Sequence, residues 1–182
     1  LEWDERSGRT VIVDHALNEI CAAGTGSFLD QQAYRLGISI DEFSSLAARA
    51  ERPATIAGRC SVFAKSDMIH LQQEGTSQEE IVAGLCYALA RNYISNLGKG
   101  KRLVKPIAFQ GGVAANKGVV KAFEELLELE PGELIIPEHF KVMGAVGAAM
   151  LASERHTDKP IKLQAATEVL RRYLAKKGSE AE

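Results

Sequence analysis

The sequence has little of what marks nucleic-acid-binding, membrane or secreted proteins. Its 182 residues carry a net charge of −2, so they offer no basic surface to nucleic acid or to an anionic membrane. Aromatic residues make up only 6%, too few for a base-stacking platform. No apolar run approaches the ~20 residues that span a bilayer, and the first ten residues are too charged for a signal peptide. We therefore expect a cytoplasmic protein with neither nucleic acid nor membrane among its partners.

Cysteine is also scarce, with Cys21, Cys60 and Cys86 and no C-x-x-C pair. Three cysteines cannot all pair within one chain, and in a reducing cytoplasm they are metal ligands, catalytic groups or small buried side chains. Cys86 lies within the apolar stretch AGLCYALA, which predicts a structural core residue. Cys21 and Cys60 each precede a predicted helix start, where the helix dipole stabilises a thiolate.

The pair Cys21 and Cys60 favours a metal site over two unrelated core cysteines, which is the alternative explanation. Catalysis is less favoured, because neither cysteine has an evident His/Asn partner pattern. Two thiolates are half of a four-ligand set. A two-fold homodimer that shares one four-cysteine iron–sulfur site would complete the set.

The order of the predicted elements indicates an α/β protein, since strands and helices alternate along the chain. The predicted strands cover residues 9–17, 106–112 and 133–137, and the predicted helices cover 27–36, 39–50, 61–75, 77–97, 115–130 and 143–154. Ser39 with Glu42, and Ser77 with Glu80, have the spacing of helix capping boxes. We expect one domain over residues 1–153 and a helical tail over 154–182.

A double glycine, Gly111–Gly112, lies between a predicted strand and a predicted helix in FQGGVAANKG. Glycines in such a turn let the backbone approach a ligand, and the following helix offers N–H groups to anions or polar ligand edges. Packing alone explains the pattern equally well. After one more strand comes the small-residue helix GAVGAA, from Gly144 to Ala149. This pairing resembles the adenosine and second connecting segments of the actin-like ATPase fold of actin, heat-shock chaperones and sugar kinases.

Four segments in a fixed order carry a more specific resemblance: NEICAAGTGSFLD, RCSVFAKSD, FQGGVAANKGVV and MGAVGAAMLA. From about Asp14 to Ala152, the chain resembles the ATP-dependent activases of 2-hydroxyacyl-CoA dehydratases and the ATPase subunits of benzoyl-CoA reductases. These are ATPases of the BadF/BadG/BcrA/BcrD type. The resemblance implies an actin-like (ribonuclease H-like) fold and a homodimer that holds one [4Fe–4S] cluster. The family's cluster ligands match Cys21 and Cys60.

The resemblance also implies a mechanism and a second set of site residues. ATP binding and hydrolysis, with Mg²⁺, would drive a low-potential electron from the cluster to a dehydratase or related reductase. The residues expected near the nucleotide are Gly24, Thr25, Gly26, Gly111, Gly112 and Asn116. For the first three a purely structural turn is an equal alternative, and Asn116 could instead cap the helix that follows it.

The sequence departs from the family in its phosphate-binding loops. Family members have a first lobe with a D-x-G-S/T loop and then an Asp-Gly-Gly loop, and the sequence contains neither. It therefore resembles only the C-terminal lobe, as a fragment or as one half of a split module, and no catalytic residue is assigned. A cluster-free small-molecule kinase of the same fold and a non-catalytic regulatory or interaction domain are the alternative functions.

Overall fold

The computed structural model describes residues 1–17, 26–57, 61–98, 101, 103–154, 167–168 and 171–172, without the side chains of residues 61 and 62. The chain divides into two compact units, Leu1–Lys141 and Val142–Glu182. Several predictions concern residues outside the described ones. They are the sites at Cys21, Gly24, Thr25 and Cys60, and most of the helical tail predicted over 154–182.

The described residues form a mixed α/β structure in which helices predominate. The elements, in chain order, are β1 (Glu2–Asp4), β2 (Arg9–Val11), α1 (Gly26–Leu36), α2 (Ile40–Arg49), α3 (Ser61–Gln73), α4 (Gln78–Leu97), β3 (Ile107–Ala108), a 3₁₀ turn (Gly112–Ala115), α5 (Lys117–Leu126), β4 (Leu134–Ile135) and α6 (Met143–Glu154). Among the described helices none is long and apolar enough to cross a membrane.

The strands are much shorter than the sequence predicts. The predicted strand at 9–17 is reduced to β2, which pairs antiparallel with β1, a strand that the sequence analysis missed. The strands predicted at 106–112 and 133–137 are reduced to β3 and β4, which pair in parallel with Ile107 opposite Leu134. The length of a strand depends on the neighbouring strands to which it is hydrogen-bonded. Each of these strands has one such neighbour in the described part of the chain.

The helix boundaries follow the local signals in the sequence closely. Ser39 and Ser77 are the N-caps of α2 and α4, and Ser77 forms a full capping box with Glu80. Gly37 and Gly75 follow α1 and α3 with φ of 70° and 80°, a backbone conformation that glycine adopts without strain. The predicted helix at 115–130 is too long, since α5 begins at Lys117 and ends at Leu126.

The core of the first unit forms around α4, which packs against α2, α3 and α5. Every residue of α4 from Ile81 to Ala90 is buried, as expected of a helix that is apolar on all sides. Cys86 is fully buried there, in agreement with its predicted core position. Gly118 in α5 lets the helices approach closely, because a Cβ at that position would stand 2.2 Å from the Cβ of Ala47.

Candidate functional site

The double glycine forms a sharp turn directly after β3. Gly111 has φ of 99°, in the region that favours glycine, and its N–H donates to the carbonyl of Phe140 at 2.8 Å. Gly112 opens the 3₁₀ turn, and the position of a Cβ on Gly112 has no described atom within 4 Å. The turn therefore presents bare backbone to open space, which suits the close approach of a ligand.

Asn116 joins this turn to α5 and is the N-cap of that helix. Its Oδ1 accepts a hydrogen bond from the N–H of Val119 at 3.1 Å and contacts the Sγ of Cys86 at 3.8 Å. Only the oxygen of the amide can accept the bond from an N–H, so the cap fixes which way the amide points. The side-chain Nδ2 is then buried and donates no hydrogen bond within the described structure.

The unpaired amide of Asn116 is the most informative feature of this region. The residue is only 6% exposed. A buried donor without an acceptor is costly in a folded protein, by about 1–3 kcal/mol. Such groups are rare and call for an explanation, and a ligand that supplies the missing acceptor is one.

A cavity of about 510 Å³ lies in front of this turn, within the first unit. Its lining comes from α1 (Gly26, Leu29, Asp30), from α2 (Ile40, Asp41, Ser44), from the turn (Gly112, Val113, Ala115, Asn116) and from Lys141. A volume of this size is in the range of small-molecule sites. The lining combines apolar side chains with a few polar groups, as ligand pockets do.

The start of α5 offers fewer free donors than the sequence suggests. The N–H of Lys117 donates to the Oγ of Ser44 at 2.9 Å, and the N–H of Val119 is taken by Asn116. Two carboxylates, Asp30 and Asp41, also line the cavity. Phosphate beside these carboxylates would be repelled. Lys141 also lines the cavity, so its wall carries both signs of charge, and the binding of an anion or a polar ligand edge at this turn stays a prediction.

The cavity brings together part of the predicted nucleotide set. Gly26, Gly112 and Asn116 all line it, and Gly111 shapes the turn beside it. The alternative explanation for Asn116, a helix cap, is confirmed by its bond to Val119. Capping uses only the oxygen, and the amide nitrogen is buried and donates no hydrogen bond within the described structure.

Sequence analysis missed the contribution of α2 and most of that of α1. Asp30 is four residues after Gly26, and Ser44 is four residues after Ile40, so each pair lies on one helical face. This four-residue spacing is the signal in the sequence that could have identified the two helical faces. It did not show that the two faces meet the Gly111–Gly112 turn, because those contacts join parts of the chain that are far apart in sequence.

No group of three or more His, Cys, Asp or Glu side chains is arranged to hold a metal ion among the described residues. Cys60, which lies outside them, directly precedes the thirteen-residue helix α3. The first N–H groups of a helix suit a thiolate, so the donor chemistry at Cys60 fits an iron–sulfur ligand. Cys86 does not fit, because burial raises the pKa of its thiol.

Comparison with known proteins places the chain in an ATPase class. Residues 8–152 match the model of the BadF/BadG/BcrA/BcrD ATPase family, and the chain belongs to that family. This confirms the resemblance read from the four sequence segments.

The similar proteins include two dehydratase activators. The chain is 32% identical to the 2-hydroxyisocaproyl-CoA dehydratase activator of Clostridioides difficile over 87% of its own length and 58% of that protein's. It is 35% identical to the (R)-2-hydroxyglutaryl-CoA dehydratase activating ATPase of Acidaminococcus fermentans, over 76% of its own length and 52% of that protein's. The chain thus spans about half the length of these relatives.

The fold also matches a solved structure of this family. The activator of the 2-hydroxyisocaproyl-CoA dehydratase from Clostridium difficile, solved with bound ADPNP, superposes with a TM-score of 0.73 at 31% identity. The match covers 86% of this chain and 57% of the activator chain. The mixed α/β fold is therefore that of about half of a dehydratase activator.

Proposed function

We propose that this chain is the nucleoside-binding half of an ATP-dependent activator that delivers a low-potential electron to a 2-hydroxyacyl-CoA dehydratase or a related reductase. Family membership supports the ATPase part of this proposal, and the solved relative with bound ADPNP supports nucleotide binding. The open backbone of the Gly111–Gly112 turn at the cavity, with Asn116 on the same wall, is the observation in this chain that carries the proposal.

The cavity is proposed to receive the nucleoside end of ATP or ADP. The bare backbone at Gly112 leaves room for a flat or ribose-sized group, and Leu29, Ile40 and Val113 supply apolar surface. Asn116 lies on the same wall, and a small rearrangement would bring its buried Nδ2–H to a base or ribose acceptor. Because Asp30 and Asp41 would repel phosphates, the triphosphate and its Mg²⁺ would lie away from these two side chains.

Gly24, Thr25 and Gly26 are proposed to shape the turn into α1 beside the nucleotide. Gly26 lines the cavity, and a Cβ there would stand 3.2 Å from the Cγ2 of Val113. This close approach holds α1 against the 3₁₀ turn. A shift of the Gly111–Gly112 turn on nucleotide binding would therefore be transmitted to the start of α1, which follows Cys21 by five residues.

The electron-transfer part of the proposal depends on Cys21 and Cys60. Each would provide a thiolate, and a second copy of the chain would provide the other two ligands of one [4Fe–4S] cluster. Such a cluster, when bound, supplies one electron at low potential. The remaining partner would be the dehydratase or reductase component, and the protein would work in the cytoplasm.

Filling the turn tests the nucleotide proposal. Gly112→Val places a side chain in the open space before the turn, and we expect the dissociation constant for ADP, measured by titration calorimetry, to rise at least about tenfold. Gly147→Val is the matched control, because Gly147 in α6 also has open space around it and does not line the cavity. Equal ADP affinity in the wild type and Gly112→Val would contradict the proposal.

A second variant separates ligand binding from folding. Asn116→Asp keeps an oxygen to cap α5 and removes the amide donor. We expect weaker ADP binding with α5 still formed, as judged by circular dichroism. Phosphoryl transfer to a small molecule by iron-free protein would instead favour the kinase alternative.

A further inference from the structure

The loop between α2 and α3, which leads to Cys60, is attached to α4 through its backbone. The N–H of Ala54 donates to the carbonyl of Glu80 at 2.9 Å. Gly84 permits this close approach, because a Cβ there would stand 2.3 Å from the carbonyl oxygen of Ala54. The side chain of Ile56 is buried. The loop is therefore packed on α4 up to a point four residues before Cys60.

The peptide group between Ile56 and Ala57 is held from both sides by charged side chains. Its carbonyl oxygen accepts a hydrogen bond from Nη2 of Arg91 in α4 at 3.1 Å, and its N–H donates to Oδ2 of Asp67 in α3 at 2.8 Å. The C=O and N–H of a trans peptide point in opposite directions, so the two side chains lie on opposite sides of the chain. Hydrogen bonds to ionised groups are stronger than neutral ones. Two helices thus fix the orientation of one peptide plane.

Nothing within its own helix explains why residue 67 is an aspartate. Asp67 is the seventh residue of α3, and aspartate is among the less favourable residues inside a helix. Within the described residues it is in no ion pair. Its hydrogen bond to Ala57 closes a short loop of the chain, and Cys60 lies in that loop. The carboxylate is therefore placed to hold the segment that leads to Cys60.

We infer that Asp67, with Arg91, is a positioning residue for the Cys60 thiolate. The inference rests on the proposed role of Cys60 as a cluster ligand and extends it to two residues that supply no ligand. A fixed peptide plane three residues before Cys60, and the start of α3 directly after it, limit the positions that the thiolate could take. Ordering a flexible segment costs conformational entropy, so a segment that is ordered beforehand holds a bound group more firmly.

The first test uses iron-free protein, so that it does not depend on the cluster. In a Cys21→Ser/Cys86→Ala background, a nitroxide is attached to Cys60 and its mobility is measured by electron paramagnetic resonance. We expect Asp67→Ala to shorten the rotational correlation time of the label, because the backbone before it is released. Asp67→Asn should stay closer to the parent, since an amide oxygen also accepts the N–H of Ala57.

The second test measures how firmly the cluster is held after anaerobic reconstitution of the 182-residue chain. Loss of the cluster's visible absorbance is followed after addition of an iron chelator. We expect Asp67→Ala and Arg91→Ala to release the cluster about tenfold faster than the wild type, since each removes one charge-assisted hydrogen bond. Gln72→Ala, at an exposed position of the same helix, is the matched control for both tests and should have no effect.

The outcomes separate this inference from the proposed function. Equal label mobility in the parent and Asp67→Ala, or equal rates of cluster release in the wild type and Asp67→Ala, would overturn the inference and leave the cluster proposal standing. The same would follow if Asp67→Asn behaved like Asp67→Ala, or if Gln72→Ala had the same effect as Asp67→Ala. If the wild type takes up no iron, the electron-transfer proposal fails, and the inference about a cluster ligand fails with it.

Discussion

At the scale of single residues, the structure describes the environment of one of the three cysteines, Cys86. Cys86 is fully buried in α4, and burial raises the pKa of its thiol, so it stays protonated and unreactive at neutral pH. Cys60 directly precedes α3, where helix N–H groups stabilise a thiolate. The burial of Cys86, together with the family resemblance at Cys21 and Cys60, is why the latter two are the proposed cluster ligands.

Iron content after anaerobic reconstitution checks this assignment. We expect about two iron atoms per chain in the wild type, as for one four-iron cluster per dimer. Cys21→Ser and Cys60→Ser should each lose the iron and the visible absorbance of the iron–sulfur cluster. Cys86→Ala is the control and should keep both. Loss of iron in Cys86→Ala together with retention in Cys60→Ser would show that the ligands are assigned wrongly.

At the scale of elements, the cavity depends on how α5 packs against α2 and α4. Gly118 allows this contact, because a Cβ there would stand 2.2 Å from the Cβ of Ala47 and 3.0 Å from the Sγ of Cys86. The same contact places the N–H of Lys117 on Ser44 and the Asn116 cap beside the cavity. Helices α4 and α5 are further joined by a hydrogen bond that the Tyr87 hydroxyl donates to the carboxylate of Glu125.

Gly118→Ala tests this contact. The added methyl group must displace α5 from α2, and we expect the free energy of unfolding in urea to fall by about 1–3 kcal/mol, the usual cost of overpacking. ADP affinity should fall with it, since the cap and the cavity wall would move together. Gly147→Ala has open space and should leave ADP affinity unchanged, while the free energy of unfolding should not fall and could rise by up to about 1 kcal/mol because alanine is favoured over glycine inside a helix. A Gly118→Ala protein as stable as the wild type would refute the role given to this contact.

An element can be predicted from the sequence when the residues that determine it lie close together in the chain. Helix ends are fixed locally, so Ser39, Ser77 and the glycines after α1 and α3 were identified correctly. Strand length depends on distant partners, and β3 and β4 were predicted too long. The contribution of Asp41 and Ser44 to the cavity was missed for the same reason, since those residues are more than sixty positions from the turn that they face.

At the scale of the whole molecule, the chain spans about half the length of its dehydratase-activator relatives. The residues described as lining the cavity all lie within its first unit, Leu1–Lys141. Under the proposed function, this half of an activator binds the nucleoside and provides the cluster cysteines.

Hydrogen–deuterium exchange with and without saturating ADP shows whether the nucleotide binds in this cavity. The account predicts slower exchange in the segments that line the cavity, residues 111–119 and 40–44, and no change in the hairpin of β1 and β2, which does not line it. The slowing should be lost in Asn116→Asp. Unchanged exchange over residues 111–119 at an ADP concentration that saturates the chain would contradict the account.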